Sequence, residues 1–276
     1  MKKFTLAVLA GSCLLSACLT SSPAQITSQS ALKADSLVVA AFHTMAWDGQ
    51  YLWQYIKEDK QTRLLALDVR NQKARNLILS ESPMPFHKGA AYGRNHLWFL
   101  DEHNTLFQFS KSGALVKTLK LKDMPALGGA EEITWYEEQR GDQREEQLWV
   151  LHKTFLDAEG KTQPARFYQI DPETGTILKT LEVNDQGFYS FAHQNLTAHK
   201  GAFYLARTHI FSAANNRVYR VDMQSGEVKT APLNRILTGM PSVFFDQDQL
   251  YGVELVDLTK DCGSACKGNL LSLPMP

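Results

Sequence analysis

The chain has 276 residues, with 29 Lys or Arg against 29 Asp or Glu, so its formal net charge at pH 7 is zero. This balance gives no electrostatic reason to expect nucleic acid as a partner, and we predict none. Hydrophobic residues make up 44% of the chain, which is enough for one sizeable core, so we expect a single folded domain.

The N-terminus has the layout of a secretory signal peptide. Lys2 and Lys3 precede an apolar run over residues 4–15 that is too short to cross a bilayer. Residues 15–18, Leu-Ser-Ala-Cys, resemble the lipobox of bacterial lipoproteins. The resemblance implies cleavage before Cys18 and acylation of that cysteine, with palmitate among the acyl chains. The next residue is Leu rather than Asp, which by the same analogy favours the outer membrane, facing the periplasm or the cell surface. The alternative is an ordinary signal peptide.

The remaining chain divides into a tether and a body. Residues 18–35 are rich in Ser, Thr, Ala and Gln and lack aromatics, so we predict a flexible lipidated tether. The predicted organisation is a signal peptide over 1–17, this tether, and a monomeric folded body over 36–276. The body keeps Cys262 and Cys266, for which an oxidising compartment predicts a disulfide. A redox-active or metal-binding pair is the alternative.

The body repeats one pattern about five times. A pair of large apolar residues follows a polar or glycine-containing turn at Leu52-Trp53, Leu97-Trp98, Leu148-Trp149, Phe203-Tyr204 and Leu250-Tyr251. A short apolar or alternating run precedes each turn. A third segment follows, such as RFYQID, with the period of a half-buried strand. Glycine-containing turns over 171–175 and 222–226 lead to a fourth segment. Each unit therefore predicts four short antiparallel strands joined by hairpins.

A four-stranded sheet cannot bury both of its faces alone, whereas radial packing around an axis buries them against neighbouring sheets. We therefore predict an all-β fold, a β-propeller with five four-stranded blades. A sixth blade is left as an alternative, because residues 182–194 fall between units three and four. The last unit ends after its third strand, and residues 36–42 have no other role. We predict that this N-terminal strand completes the last blade and closes the ring.

The mature chain resembles quinoprotein-like periplasmic propellers, in which YxIDPxTG turns recur as in residues 167–175. The resemblance implies the fold, and the chain lacks a match to the cofactor-holding residues of quinoprotein enzymes. A narrower resemblance is to plant-type glutaminyl-peptide cyclotransferases, five-bladed propellers with FTQGL and EGIT motifs. Phe42, Glu131, Ile133 and Thr134 stand at comparable positions. The other motif residues differ, so the activity is not carried over.

Polar residues recur in the loops that lead into the first strands. In a propeller, first strands line the central channel, and these loops lie on the face where ligands usually bind. The loops of the first four blades carry His43, His87, Glu131 with Glu132, and His193. Imidazole and carboxyl groups that converge on one axis would suit a divalent metal or a charged substrate group. The alternative is that each histidine hydrogen-bonds to neighbouring backbone.

The sequence has no Gly-rich phosphate cradle and no G-x-S-x-G nucleophile motif. This lack of a catalytic set predicts a non-catalytic binding or scaffolding propeller, anchored to the membrane by its lipid, that binds a protein or a small ligand. The alternative is a metal-assisted hydrolase, lyase or cyclotransferase. Its site would be at the channel, where His43, His87, Glu132 and His193 converge. The sequence leaves the cofactor open, and a divalent metal is the one candidate.

Overall fold

The computed structural model of the protein describes residues 37–39, 45–57, 60–80, 86–125, 130–140, 142–156, 159–183, 188, 196–208, 213–235, 237, 239–240, 242–256 and 266–276. All of them belong to one unit, Leu32–Pro276. Within these ranges the one helical element is a 3-10 turn at Ala213–Asn215, and no described helix is long and apolar enough to span a membrane.

Twenty of the twenty-two strands in the described ranges form five antiparallel sheets of four strands, here called blades one to five. Blade one contains β2 (Met45–Trp47), β3 (Tyr51–Lys57), β4 (Thr62–Asp68) and β5 (Lys73–Ser80). Blade two contains β6 (Phe86–Gly93), β7 (His96–Asp101), β8 (Thr105–Ser110) and β9 (Leu115–Lys120). Blade three contains β10 (Ala130–Arg140), β11 (Gln143–His152), β14 (Arg166–Ile170) and β15 (Ile177–Glu182), and its β11–β14 connection carries a small hairpin of β12 (Phe155–Leu156) and β13 (Thr162–Gln163).

Blades four and five complete the ring. Blade four contains β16 (Thr197–His199), β17 (Ala202–Arg207), β18 (Arg217–Asp222) and β19 (Val228–Pro232). Blade five contains β20 (Ser242–Asp246), β21 (Gln249–Leu255), β22 (Cys266–Ser272) and β1 (Leu37–Val39). The first strands β2, β6, β10, β16 and β20 contact one another in a closed circle. The predicted five-bladed propeller is confirmed.

The ring closes by pairing the two ends of the body. Strand β1 is antiparallel to β22, with Leu37 opposite Gly268 and Val39 opposite Cys266. The outer strand of the last blade therefore comes from the beginning of the body, as predicted from residues 36–42. Of that segment, the structure describes residues 37–39.

The repeated glycine turns dock each blade onto the one before it. Gly175 has φ +74°, and a Cβ there would lie 2.4 Å from the carbonyl oxygen of Lys120 in blade two. The Lys122 N–H donates to the Gly175 carbonyl at 2.9 Å. Gly226 repeats the arrangement against Glu182 of blade three, at 2.6 Å. Glycine is thus needed both for the left-handed turn and for close approach between blades.

The core lies between successive blades rather than within any single blade. The ring of Trp149 in blade three meets Phe203 of blade four edge-on, with centroids 5.2 Å apart. Tyr55 of blade one meets Phe99 of blade two in the same way, at 5.5 Å. Burying a large apolar side chain contributes about 1.5–3 kcal/mol, so each interface holds its two blades at a fixed spacing around the channel.

Candidate functional site

Two first strands lose their regular pairing at the same end of the channel, where the strands begin. Strand β6 shifts register against β7 between Phe86 and Ala90. Strand β10 shifts against β11 between Ala130 and Glu132, which leaves Glu131 as an extra residue. Such bulges re-aim side chains and are frequent beside functional sites. We call this region, defined by Lys88, Glu131, Glu132 and Lys153, the entry end.

A glycine lets the two strands approach each other at the entry end. A Cβ on Gly89 would lie 2.3 Å from the backbone nitrogen of Ile133 and 2.7 Å from the Cα of Glu132. Both contacts are to backbone, which cannot rotate away as a side chain can. The absence of a side chain at Gly89 therefore fixes where blade two meets the Glu131–Glu132 segment of blade three.

Two lysines hold the Glu131 carboxylate. Its Oε1 lies 3.0 Å from Lys88 Nζ, on β6, and 2.5 Å from Lys153 Nζ, just after β11. The three side chains are 18–35% exposed, so solvent screens this cluster only in part. Contacts between charged groups are stronger than those between neutral groups. The two lysines therefore fix the position of the Glu131 carboxyl group at the entry end.

Glu132 lies in a different environment from its neighbour. Its residue is 1% exposed, and its Oε1 has no hydrogen-bond partner among the described residues. Burial raises the pKa of Glu132 well above its usual value, the charge of Glu131 raises it further, and Lys88 opposes them. A buried carboxyl without compensating donors retains its proton. Glu132 is therefore a neutral acid.

Two more buried polar groups belong to this region. Burial raises the pKa of the Tyr55 phenol, which therefore stays protonated. His152 is 1% exposed, and its Nδ1 lies 3.0 Å from the Lys153 carbonyl oxygen. Burial lowers the pKa of His152, so its imidazole is neutral near pH 7. Sequence reasoning did not single out these two residues or the two lysines.

The predicted histidine cluster falls mostly outside the described residues. His43 and His193 lie outside them, and His87 lies in β6 with its side chain outside the description. Within the described ranges no group of three or more His, Cys, Asp or Glu could hold a metal ion. The convergence of these histidines with Glu131 and Glu132, and the metal it would hold, remain predictions.

The predicted cysteine chemistry also falls mostly outside the described residues. Cys18 and Cys262 are outside the described residues, and Cys266 is described only by its backbone, as the first residue of β22. The lipid anchor and the disulfide therefore remain predictions.

A cavity of about 590 Å³ lies at the other end of the channel, lined by the first strands and first hairpin turns of all five blades. We call it the hairpin-end cavity. Three of its charged residues pair across blade boundaries. Asp48 binds Lys111 at 2.6 Å, Arg94 binds Glu146 at 2.8 Å, and His199 lies 2.9 Å from Asp248. Sequence reasoning missed this cavity, because polar hairpin turns also occur on any exposed surface.

No protein-family model and no curated protein matches this sequence. Solved structures match over most of the chain. A xylan β-1,4-xylosidase from Bacillus halodurans C-125 is 11% identical, with a TM-score of 0.54, over 88% of this chain and 54% of its own. A GH43_12 protein from a capybara gut metagenome is 10% identical, with a TM-score of 0.54, over 87% and 53%.

A third structure is matched over nearly its whole length. It is a GH43 β-xylosidase/α-arabinofuranosidase from a compost metagenome, in complex with xylotriose, and it is 11% identical with a TM-score of 0.51. The match covers 89% of this chain and 92% of that one. The chain thus spans about half of the first two structures and most of the third. These likenesses show the propeller fold alone, and the finer resemblance to quinoprotein-like propellers stays a prediction.

The prediction of a non-catalytic binding or scaffolding module is wrong. The finding against it is that the solved structures that share this fold include xylosidases. The physical ground of the prediction also fails. It rested on the lack of a catalytic set, whereas the entry end places the buried Glu132, with its raised pKa, beside Glu131, which contacts two lysines. The sequence could not reveal this difference between two adjacent glutamates.

Proposed function

We propose that the chain is a hydrolase of glycosidic bonds, with its site at the entry end of the channel and Glu132 as its proton donor. The observation that carries the proposal is the burial of Glu132 with an oxygen that has no hydrogen-bond partner among the described residues. A structural carboxylate in such a place would be expected to have donors around it. A carboxyl that must give up its proton to a substrate needs an acceptor that arrives with the substrate.

Glycoside hydrolysis uses two carboxyl groups in different protonation states. A neutral acid protonates the glycosidic oxygen as the bond from that oxygen to the anomeric carbon breaks. A carboxylate takes a proton from the water whose oxygen bonds to that carbon. We assign the first role to Glu132 and the second to Glu131, which Lys88 and Lys153 contact. A buried acid with a raised pKa beside a second carboxyl group is the arrangement that such acid and base roles require.

The solved structures of the same fold suggest the first substrates to test. Two of them are named as xylosidases, and one of these also as an arabinofuranosidase. Aryl β-xylosides and aryl α-arabinofuranosides, with leaving groups of graded acidity, are therefore the starting panel.

The test compares the full chain with Glu132→Gln. We expect kcat/KM to fall about 10²–10⁴-fold, the usual contribution of a positioned acid. The loss should be largest for poor leaving groups and small for nitrophenolate, which departs without protonation. Glu227→Gln, an exposed glutamate in the turn before β19, serves as the control and should retain full activity.

Two outcomes would contradict this assignment. Equal activity of Glu132→Gln and the wild type on poor leaving groups would remove Glu132 as the acid. Failure of the full chain to cleave any member of an extended glycoside panel would remove the activity itself. A parallel assay in EDTA tests the metal-assisted variant of the proposal, in which His43, His87 and His193 complete the site.

We further propose that the protein is attached to the outer membrane through lipid on Cys18, with a monomeric body facing the periplasm or the cell surface. The support is the lipobox-like sequence at residues 15–18 after a signal-like segment. Labelled palmitate should enter the wild type and not Cys18→Ala. Mass analysis before and after reduction tests the Cys262–Cys266 disulfide in the same preparation.

A further inference from the structure

Blade four carries two arginines side by side, on the same side of the ring as the entry end. Arg207 is the last residue of β17 and Arg217 is the first of β18, and the two are directly opposite each other in the antiparallel pair. Side chains in such a pair begin about 4.5–5.5 Å apart at Cβ. A guanidinium stays protonated in proteins. Because like charges directly opposite each other destabilise a sheet, this pair costs the blade stability.

The described part of the chain offers the two arginines no acidic partner. Arg217 donates from Nη2 to the carbonyl oxygen of Ala214 at 3.2 Å. Among the described residues neither arginine forms an ion pair, and the side chain of Arg207 forms no hydrogen bond. Both residues are half-buried, so each has part of its surface in contact with solvent. Each guanidinium carries several N–H donors, and most donors of this pair are therefore left for a ligand.

Blade three shows how the fold neutralises the corresponding row of residues. There β11 places His152 opposite Arg166, and β15 places Glu182 opposite Arg166 in turn. The Arg166 guanidinium lies 3.2 Å from the Glu182 carboxylate. Burial lowers the pKa of His152, so its imidazole adds no charge near pH 7. That row therefore contains one cation and one acid, which form an ion pair.

The row in blade four has lost this balance. His152 and Arg207 each lie four residues after the first member of the repeated apolar pair, so the two rows correspond. Arg207 is opposite Arg217, and Arg217 is opposite Pro232, which takes the place of Glu182. A second cation has been gained and the acid has been replaced. Proteins break such local rules mainly at functional sites, which points to a ligand that supplies the missing negative charge.

Both arginines lie on the face of blade four that packs against blade three. Side chains alternate between the two faces of a strand. Phe203, four residues before Arg207, and Tyr219, two residues after Arg217, belong to the apolar cluster between these two blades. Leu151, near the end of β11, belongs to the same cluster. The arginine pair therefore lies at the edge of this interface, where the second strands of both blades end.

A guanidinium presents its donors in a planar fork that matches the oxygens of a carboxylate or a phosphate. An anion bound between two guanidinium groups gains charge-assisted hydrogen bonds and also removes the repulsion between them. We propose that Arg207 and Arg217 form a binding site for the anionic group of a small ligand, a carboxylate or a phosphate. The site does not depend on Glu132, so the proposal survives if the entry end has no glycosidase activity.

The experiment measures binding to the full chain by calorimetry, in a buffer without phosphate, sulfate or carboxylate ions. The probes are three matched sugars: glucuronate, glucose 6-phosphate and neutral glucose. We expect the two anionic sugars to bind and glucose not to bind. The tighter of the two anions identifies carboxylate or phosphate as the group that the site takes.

Substitutions locate the bound anion. Arg207→Gln and Arg217→Gln each remove one guanidinium, and each should weaken binding of the anionic sugars by about tenfold or more, the scale of hydrogen bonds to a charged group. The lysine variants keep the charge but lose the planar fork, so their affinities should lie between those of the wild type and the glutamine variants. Arg166→Gln is the matched control, because that guanidinium already binds Glu182, and it should bind the anions like the wild type.

Stability measurements separate a binding role from a structural one. Removing a structural arginine lowers the free energy of unfolding, whereas removing one of two opposed cations should leave it unchanged or raise it. A ligand that binds only the folded state stabilises that state. A saturating anionic sugar should therefore raise the unfolding free energy of the wild type and have little effect on either glutamine variant.

The proposal is overturned if the folded wild type shows no saturable binding of either anionic sugar, or binds glucose equally well. It is also overturned if both glutamine variants keep the affinity of the wild type. A loss of affinity in Arg166→Gln as large as in Arg207→Gln would show that the anion responds to the general charge of this side of the ring, and would equally remove the site.

Discussion

Each end of the channel contains a buried acid, and the surroundings shift the pKa values of the two acids in opposite directions. The Asp48 side chain, at the hairpin end, is 0% exposed, and Lys111 contacts it at 2.6 Å. It also accepts hydrogen bonds from the Tyr51 N–H and the Trp53 indole. Burial raises the pKa of Asp48, but these donors outweigh it and leave the pKa below its usual value.

Glu132, at the entry end, is 1% exposed, its Oε1 has no hydrogen-bond partner among the described residues, and its pKa lies well above the usual value. The comparison teaches that burial alone does not mark a reactive acid. The donors around a carboxyl decide whether it is an ionised structural anchor or a neutral acid. This difference is why the chemistry is assigned to the entry end.

The largest expected effect on stability comes from replacing a glycine by alanine at the entry end, and the same change at the hairpin end is the comparison. Gly89→Ala places a Cβ 2.3 Å from the backbone of blade three, and we expect about 3 kcal/mol of destabilisation from this overpacking. Gly49→Ala, at the hairpin end, meets nothing within 4 Å and has only its φ of +92° to strain, so about 1 kcal/mol is expected. Urea denaturation of both variants measures the difference. Equal losses would show that the entry end is not held by close backbone contact.

These contrasts also show how far the sequence alone reaches. The blades could be predicted, because each strand carries its own alternation and each turn its own glycine. Ring closure could be predicted, because the last unit lacks a strand that residues 36–42 supply. Such signals are local, or depend on counting repeats.

The different surroundings of the two glutamates at the entry end could not be predicted in this way. Glu131 and Glu132 are adjacent and chemically identical, but Glu131 forms an ion pair with Lys88, which lies 43 residues away in sequence. Lys153 and Gly89 likewise act through folding rather than through sequence proximity. The hairpin-end cavity escaped prediction for the same reason, since it exists only where five turns come together.

The second-largest effect is expected from removing the charge of Asp48. Asp48→Asn removes the charge that faces Lys111 and weakens the hydrogen bonds from Tyr51 and Trp53. We expect about 2 kcal/mol of destabilisation near pH 7, the scale of hydrogen bonds to a charged group. Because the folded pKa of Asp48 is lowered, its contribution is present above the unfolded pKa and is lost as the pH falls through the folded pKa. The variant should therefore approach the wild type in acid, and a loss that is constant with pH would contradict the ion-pair explanation.

Glu132 should give the opposite pH dependence. Its folded pKa is raised, so its contribution to stability is fully present below the unfolded pKa and is lost as the pH rises through the folded pKa. Glu132→Gln cannot ionise and escapes that loss. We expect the variant to gain stability relative to the wild type between pH 4 and pH 8, measured by urea denaturation across the range. A relative loss over the same range would mean that Glu132 is compensated by donors after all, and the contrast between the two ends would disappear.

The smallest effect is expected at the rim of the hairpin end. Arg144 is 57% exposed and contacts Glu137 at 2.5 Å and Glu146 at 3.3 Å. Exposed pairs of this kind contribute about 0–1 kcal/mol, because solvent screens them and because ordering two long side chains costs entropy. Arg144→Ala should therefore change the unfolding free energy by about 0.5 kcal/mol or less, with any effect shrinking further in high salt. A loss of unfolding free energy as large as that expected for Asp48→Asn would mean that the ion pairs at the rim act as a cooperative charge network. Burial would then not distinguish stabilising ion pairs from weak surface pairs at this end of the channel.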